Sequence, residues 1–230
     1  MHLENCYWHV GDRLHSFDLD TLQKNLGQKL SLPNGVTPVL CKKGFHGSLH
    51  LLDALSYNSG STIELRYMPV IADSEPDKVV APAMQIVGLL EDASDILHSF
   101  STELLYLGWA SIQESIPSKY WEFLVFCISL LTEKRYVWEI DAYKRRLNMI
   151  RTELPDNANA RDLFYILDTF LNTFRYYEYL RPATIVMFYH SAISNGDFPN
   201  YYKEYLRQNE RLESLIRPQM KMFTGEWDVI

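Results

Sequence analysis

The sequence predicts an α+β fold, in which a small mixed β-sheet forms the N-terminal half and an all-α helical bundle follows it. Up to about residue 91, short β-favouring runs alternate with turn signals such as Asn34-Gly35. After about residue 92, apolar residues recur with the 3.6-residue period of a helix, and prolines stand at the segment boundaries. We therefore predict a mixed α+β domain over residues 1–92 and a helical domain over residues 93–230.

The N-terminal domain is predicted to hold several strands and two short helices. A first strand is expected around Tyr7-Trp8-His9. The other β-favouring runs cover residues 37–40, 61–70 and 79–89. Two leucine-rich helical segments cover residues 18–26 and 49–57. Within the run 61–70, Ile63 and Leu65 alternate with Thr62 and Glu64, which predicts a strand that is buried on one face only.

The C-terminal domain is predicted to be a bundle of five or six helices. Apolar residues three and four apart, bounded by prolines, mark helical segments over residues 94–112, 119–132, 136–154, 160–179, 182–194 and 201–223.

The composition excludes some classes of partner and indicates the cellular compartment. The 22 basic and 29 acidic side chains give a net charge of −7, so we expect no nucleic-acid partner held by the overall field. The longest apolar runs, such as residues 123–131, are about half of the ~20 residues that span a bilayer, so no membrane association is expected. Three widely spaced cysteines, Cys6, Cys41 and Cys127, predict free thiols and a cytoplasmic location.

Several motifs follow one another in the N-terminal domain. They are Cys41-Lys-Lys-Gly-Phe-His-Gly-Ser48, Leu52-Asp-Ala-Leu-Ser-Tyr57 with Gly60, and Asp77-Lys-Val-Val-Ala81. Over roughly residues 7–105 the chain resembles a family from bacteriophages and bacteria with the motifs C-x-x-G-[LF]-H-A-S, D-A-L-x-Y-x-x-G and D-K-x-V-A, in which Gly47 replaces an alanine. The resemblance implies a shared N-terminal fold and a phage or prophage origin, hence the host cytoplasm, and it implies no reaction.

The same region also resembles ADP-ribosyltransferase-like folds. There, a strand ending in Gly-aromatic-x-x-Ser and a short helix with Ala and Tyr help to hold the nicotinamide end of NAD. This second resemblance implies a ligand site that includes Tyr57 and His9, with NAD or a nucleotide as the ligand. It is a likeness at the level of the fold.

Three residues of the motifs are candidates for catalysis if the protein is an enzyme. His46 and Ser48 lie two apart on a predicted strand, where a base and a hydroxyl face the same way. The favoured alternative for Ser48 is capping of the following helix. Lys78 enters a strand and could reach a phosphate or carboxylate, or instead pair with Asp77 or another nearby acid.

His46 separates two hypotheses about the motif. If Phe45 faces the core, His46 faces the other way, toward Tyr57 or Lys78. A structural His46 is expected to be buried and bonded to backbone, whereas a ligand-site His46 is expected in a cleft lined also by Tyr57 and Lys78. The structural role is favoured. Cys41, His46 and His50 have metal-ligand spacing, but no fourth ligand is evident, so no metal is predicted.

An aromatic cluster in the helical domain predicts an interface. Tyr176, Tyr177 and Tyr179 surround more than one face of their helix, and Arg175 adjoins them. Tyrosine with arginine is typical of interaction hot spots, although most aromatic residues here are expected in the core.

Three functions remain open on the sequence alone. The favoured one is a phage-encoded, non-enzymatic interaction module that binds a host or phage protein or self-associates, without a cofactor. The first alternative is an enzyme that binds a nucleotide or NAD through its N-terminal half. The second alternative is a virion or assembly component.

Overall fold

A computed structural model describes residues 5–11, 26–27, 29–57, 60–133, 138–154, 158–173, 182–194 and 198–225. The predicted α+β class is confirmed, since antiparallel sheets occupy residues 6–90 and helices follow. The chain divides into two compact units, of which the first comprises Met1–Asp95 with Asn209–Ile230 and the second comprises Ile96–Gln208. The division differs from the predicted boundary at residue 92 because residues 209–230 belong to the first unit.

The strands of the first unit form two antiparallel sheets. They are β1 (Cys6–Gly11), β2 (Lys29–Ser31), β3 (Phe45–Gly47), β4 (Thr62–Tyr67), β5 (Asp73–Glu75), β6 (Lys78–Ala81), β7 (Ala83–Leu90) and β8 (Lys221–Met222). The larger sheet has the order β1-β4-β7-β2, with β8 also paired to β7, and the smaller sheet has the order β3-β6-β5. A parallel bridge joins Leu26 to Ile86. Helix α1 (Leu51–Tyr57) packs against β1, inside the predicted range 49–57.

Strand β4 is buried on both faces, and the prediction of a half-buried strand is wrong. It pairs with β1 along one edge and β7 along the other. Thr62 and Glu64 on one face are buried, and so are Ile63 and Leu65 on the other. The alternation of polar and apolar residues therefore reports two different buried environments. The polar face is paired internally, through an ion pair between Glu64 and Arg66.

Other strand predictions are corrected in their extent. The run 79–89 is broken at Pro82, which has no N–H for a ladder, so the chain leaves β6 in one sheet and enters β7 in the other. Residues 37–40 form no strand; Val39 instead bridges to Lys43 in a tight turn. The predicted helix 18–26 lies outside the described residues except for Leu26.

The second unit is helical in its described part. Its helices are α2 (Ser94–Ile112), α3 (Trp121–Thr132), α4 (Ile140–Glu153), α5 (Ala158–Thr173), α6 (Pro182–Ser194) and α7 (Phe198–Ile216), of which α2 begins and α7 ends in the first unit. The predicted count of five or six helices is confirmed for the described residues.

The last predicted helix, 201–223, ends early. A 3-10 turn with Pro218 follows Ile216, and Lys221–Met222 then pairs with Gly88 and Leu89 of β7. The region after residue 93 is thus not wholly helical. Proline restricts the backbone of the residue before it, which favours the end of the α-helix at this point.

Two further findings concern the whole described chain. None of its helices is both long and apolar enough to cross a membrane. The prediction of free thiols is confirmed for Cys6, Cys41 and Cys127. Burial raises the pKa of Cys6 to about 11 and that of Cys127 to about 12.

Candidate functional site

The first unit contains a pocket of about 310 Å³. It is lined by Trp8, His9, Val10, Cys41, Lys42, His46, Gly47, Ser48, Ala54, Tyr57 and Lys78. All five residues predicted as catalytic or ligand-binding in the N-terminal domain are in this set. A cleft lined by His46, Tyr57 and Lys78, as expected for a ligand-site His46, is therefore present.

Strand β3 positions His46 in the pocket. Its neighbour Phe45 packs against a buried apolar cluster, and the pleat of a strand turns the next side chain to the opposite face. That cluster contains Met68, Val79, Ala81, Met84 and Ile86. The backbone carbonyl of His46 accepts a hydrogen bond of 2.9 Å from Nη1 of Arg66, which joins β3 to β4, an inner strand of the larger sheet.

The imidazole of His46 has features of both hypotheses. It is half-buried and lines the pocket, and it also interacts with the backbone carbonyls of Gly44 and Val39. Burial and the Arg66 guanidinium lower the pKa of His46, while the two carbonyls act in the opposite direction. Nε2 is shielded from solvent and has no hydrogen-bond partner among the described residues.

His9 brings a second neutral imidazole to the pocket wall. It lies on β1 opposite Glu64 of β4. Burial, the guanidinium of Arg66 and the nearby His46 lower the pKa of His9 to about 3. Because the pKa of His46 is lowered as well, both rings are neutral at pH 7 and each offers one donor and one acceptor nitrogen.

Lys78 and Tyr57 lie together at the pocket, and each is bonded to an acidic residue. Nζ of Lys78 lies 2.9 Å from Glu75 and 5.0 Å from the centre of the Tyr57 ring, so the lysine pairs with Glu75 and not with Asp77. The Tyr57 hydroxyl donates to Asp77. The hydrogen bonds to Glu75 and Cys41 raise the pKa of Lys78, and burial with the Asp77 bond raises the pKa of Tyr57 to about 12. Both groups therefore keep their protons at neutral pH.

Ser48 is not the cap of α1. Its backbone N–H and carbonyl pair with Trp8 in a bridge, and the helix begins three residues later at Leu51. In the first turn of the helix, the backbone N–H of Leu52 instead donates to Oδ1 of Asn209 at 3.1 Å. The capping group thus comes from 157 residues along the chain, which no local pattern could indicate.

Two polar residues that line the pocket, Cys41 and Lys42, were not predicted as ligand-binding residues from the sequence. From the sequence, Cys41 is a motif residue, a free thiol and a candidate metal ligand, and Lys42 is only part of a motif. Both lie in the Val39–Lys43 turn, where Cys41 has a φ of 58°. The Lys42-Lys43-Gly44 sequence was the available signal, because it marks a reversal that carries cationic side chains.

The remaining predicted residues lie elsewhere. Nδ1 of His50 lies 3.4 Å from Nδ2 of Asn209, and His50 is not in the pocket lining with Cys41 and His46. Within the described ranges, no group of three or more His, Cys, Asp or Glu side chains is arranged to hold a metal ion. Arg175, Tyr176, Tyr177 and Tyr179, the predicted interface, lie outside the described residues.

Comparison with known proteins adds no family to these observations: no family model, curated protein or solved structure matches the chain. The resemblance to the phage and bacterial family therefore stays a prediction that rests on the motif residues themselves.

Proposed function

We propose that the first unit binds a small organic anion, of the nucleotide class, in the pocket between β1, β3 and α1. One observation carries this proposal. The described lining contains two lysines, Lys42 and Lys78, and no aspartate or glutamate, although the chain has a net charge of −7. Lys78 is paired with Glu75, which is outside the lining, so the excess positive charge of the lining comes from Lys42. An excess of charge of one sign in a cleft concentrates ligands of the opposite sign.

The size of the pocket limits the ligand. Its volume of about 310 Å³ is at the lower end of the range of small-molecule sites. Such a pocket suits a single nucleotide, or one half of a dinucleotide such as NAD. Shape and charge thus support the nucleotide-binding alternative more than the sequence did.

We propose binding and not a reaction. The most efficient general acids and bases titrate near neutral pH. In this pocket the pKa values of Lys78 and Tyr57 are raised and those of His9 and His46 are lowered away from that range. Ser48 is buried, with its backbone paired to Trp8. Protonated donors and neutral imidazoles are suited to holding an anion in place.

The experiment is a thermal-shift titration of the full chain with nucleoside monophosphates. A ligand at 100 times its Kd stabilises the folded state by about 2.7 kcal/mol, which raises the melting temperature measurably. Lys78→Met is expected to lose most of the shift. Lys119→Met is the matched control, because Lys119 is also paired to a glutamate and lies over a tyrosine ring, but outside the pocket. Equal shifts in wild type and Lys78→Met, or no shift with any nucleotide, would contradict the proposal.

A second candidate function is protein binding by the second unit, either of a host or phage protein or of a second copy of the chain. The second unit exposes several large apolar side chains: Trp138 at 89%, Tyr165 and Tyr202 at 62% and Met187 at 59%. A contiguous group of such side chains would mark a protein contact. Sedimentation velocity over a wide concentration range tests the self-association form. A sedimentation coefficient that does not change with concentration would remove it. No feature of the described residues favours a virion component.

A further inference from the structure

Helices α3 and α4 of the second unit share an aromatic cluster that reaches the surface. The ring centre of Tyr143 lies 6.1 Å from that of Phe123 and 5.5 Å from that of Phe126. The guanidinium carbon of Arg146 lies 4.4 Å from the centre of the Phe123 ring. Phe123 is buried, whereas Phe126 is 38% exposed and Arg146 is exposed. A cation therefore lies beside aromatic area that solvent reaches.

This surface continues along α4. Residues three and four apart are neighbours on a helix, so Met149 adjoins both Arg146 and Arg145. Met149 is 49% exposed and Arg145 is exposed. The neighbouring side chains that solvent reaches on the two helices are named here the α3–α4 surface: Phe126, Tyr143, Arg145, Arg146 and Met149. Arginine, methionine and aromatic residues are the types that are enriched in protein–protein interfaces.

The α3–α4 surface is positively charged in an acidic chain. Helix α4 carries four basic and two acidic side chains, whereas the whole chain has a net charge of −7. Among the described residues, neither Arg145 nor Arg146 forms an ion pair. Of the two acidic side chains of α4, that of Glu153 is paired with Lys119. Two unpaired guanidinium groups beside apolar area are complementary to a partner that presents carboxylates together with a large apolar side chain.

We propose that the α3–α4 surface binds a short acidic segment of another protein, with carboxylates on Arg145 and Arg146 and a large apolar residue on Phe126. An arginine presents its donors in a planar fork that fits a carboxylate at two points. Stacking on Phe123 holds the Arg146 guanidinium in position before the partner arrives, which reduces the entropy lost on binding.

The length of α4 and the charge of the chain favour a short protein segment over a nucleic acid. The helix is about 20 Å long, a distance that about six extended residues span. A longer polyanion would extend beyond the surface into the field of a chain with a net charge of −7.

The inference rests on the second candidate function, protein binding by the second unit, and is independent of the nucleotide pocket. A displayed library of random peptides of about eight residues, enough to span α4, is selected on the immobilised full chain. The enriched peptides are expected to combine aspartate or glutamate with a large apolar residue. Enriched peptides without an excess of acidic residues would overturn the inference and leave the second candidate function intact. No enrichment over a blank support would overturn the inference together with the binding of other proteins.

Substitutions of the two arginines test the location. Arg146→Met keeps a side chain over Phe123 and removes the charge, and Arg145→Met removes the neighbouring charge. In anisotropy titrations of a dye-labelled enriched peptide, each variant is expected to bind about tenfold more weakly than wild type. The matched control is Arg207→Met, because Arg207 is an exposed arginine of α7 in the same unit, paired with Glu204. This control is expected to keep the wild-type Kd.

The same variants identify any other occupant of the surface. Melting temperatures show which variants fold, and both are expected to fold because Arg145 and Arg146 are exposed. Wild-type affinity in a folded Arg146→Met or Arg145→Met variant would overturn the assignment of the surface. A single-stranded oligonucleotide that binds more tightly than the peptide, and loses binding in Arg146→Met, would overturn the choice of partner. Self-association of wild type that Arg146→Met abolishes would assign the surface to a second copy instead.

Discussion

At the scale of single residues, the site depends on a buried ion pair that does not touch the pocket. Arg66 bonds to Oε2 of Glu64 through Nε at 2.7 Å and Nη2 at 2.6 Å, and to the carbonyl of His46 through Nη1. Both side chains are about one-tenth exposed. The guanidinium thus holds β3 in place and helps to keep His9 and His46 neutral.

Removing the charge of Glu64 is expected to be costly. In Glu64→Gln the buried guanidinium loses its counter-ion, and the free energy of unfolding of the first unit is expected to fall by about 3 kcal/mol. Hydrogen exchange of the β4 amides measures this change. Glu91→Gln breaks an exposed pair with Lys221 in the same unit and is expected to cost less than about 1 kcal/mol. Similar losses in the two variants would contradict the role given to the buried pair.

The sequence motifs brought forward four residues that line the pocket. His46, Ser48, Tyr57 and Lys78 were identified in this way, and the pleat of the strand gave the direction of His46. Arg66 was not identified, because its alternation with Leu65 indicated a solvent-facing side chain. That face is buried because distant parts of the chain pack on it, such as β3, whose His46 carbonyl accepts a hydrogen bond from Arg66.

At the scale of elements, strand β3 comes close to β1 because Gly47 has no side chain. A Cβ at this position would lie 2.6 Å from Cβ of Tyr7 and 3.1 Å from Cε of Met68. In this chain the packing of β1 on β3 requires glycine.

Gly47→Ala is therefore expected to destabilise the protein by about 1–3 kcal/mol, since neither Tyr7 Cβ nor the strand backbone can move freely. Urea unfolding measures the loss. Gly11→Ala is the matched control on β1, where a Cβ would meet atoms of Thr62 only at 3.8 Å and beyond. Its effect is expected to stay within about 0.5 kcal/mol. A neutral Gly47→Ala would show that β1 and β3 are not in close contact.

Elements with strong local signals were predicted well, and those that depend on distant pairing were not. Helix α6 begins at Pro182 and ends at Ser194, as predicted, because proline and the apolar period mark it locally. Strand β8 has two residues and exists only because β7 offers an open edge at Gly88 and Leu89. No pattern in Lys221–Met222 itself could have indicated it.

At the scale of the whole molecule, histidines with a lowered pKa couple folding to pH in both units. His9 belongs to the first unit, and burial is the main cause that lowers its pKa to about 3. His190 belongs to the second unit, is fully buried, and has a pKa lowered by burial against the opposing effect of Glu204. The ring of His190 makes an edge contact with the ring of Tyr201, and the two ring centres lie 4.8 Å apart. Each ring is neutral in the folded protein and titrates near pH 6.5 in the unfolded chain.

Acidification below pH 6.5 is therefore expected to destabilise the protein before its carboxylates titrate. Between pH 6.5 and the folded pKa, the unfolded chain binds the proton and the folded protein does not, so stability falls as the pH falls. For His9 the loss between pH 7.5 and pH 5 is about 2 kcal/mol. Urea unfolding of wild type and His9→Gln at these two pH values measures this loss. The free energy of unfolding of His9→Gln is expected to fall by about 2 kcal/mol less than that of wild type. An identical pH dependence in the two proteins would mean that His9 is free to take up a proton in the folded state.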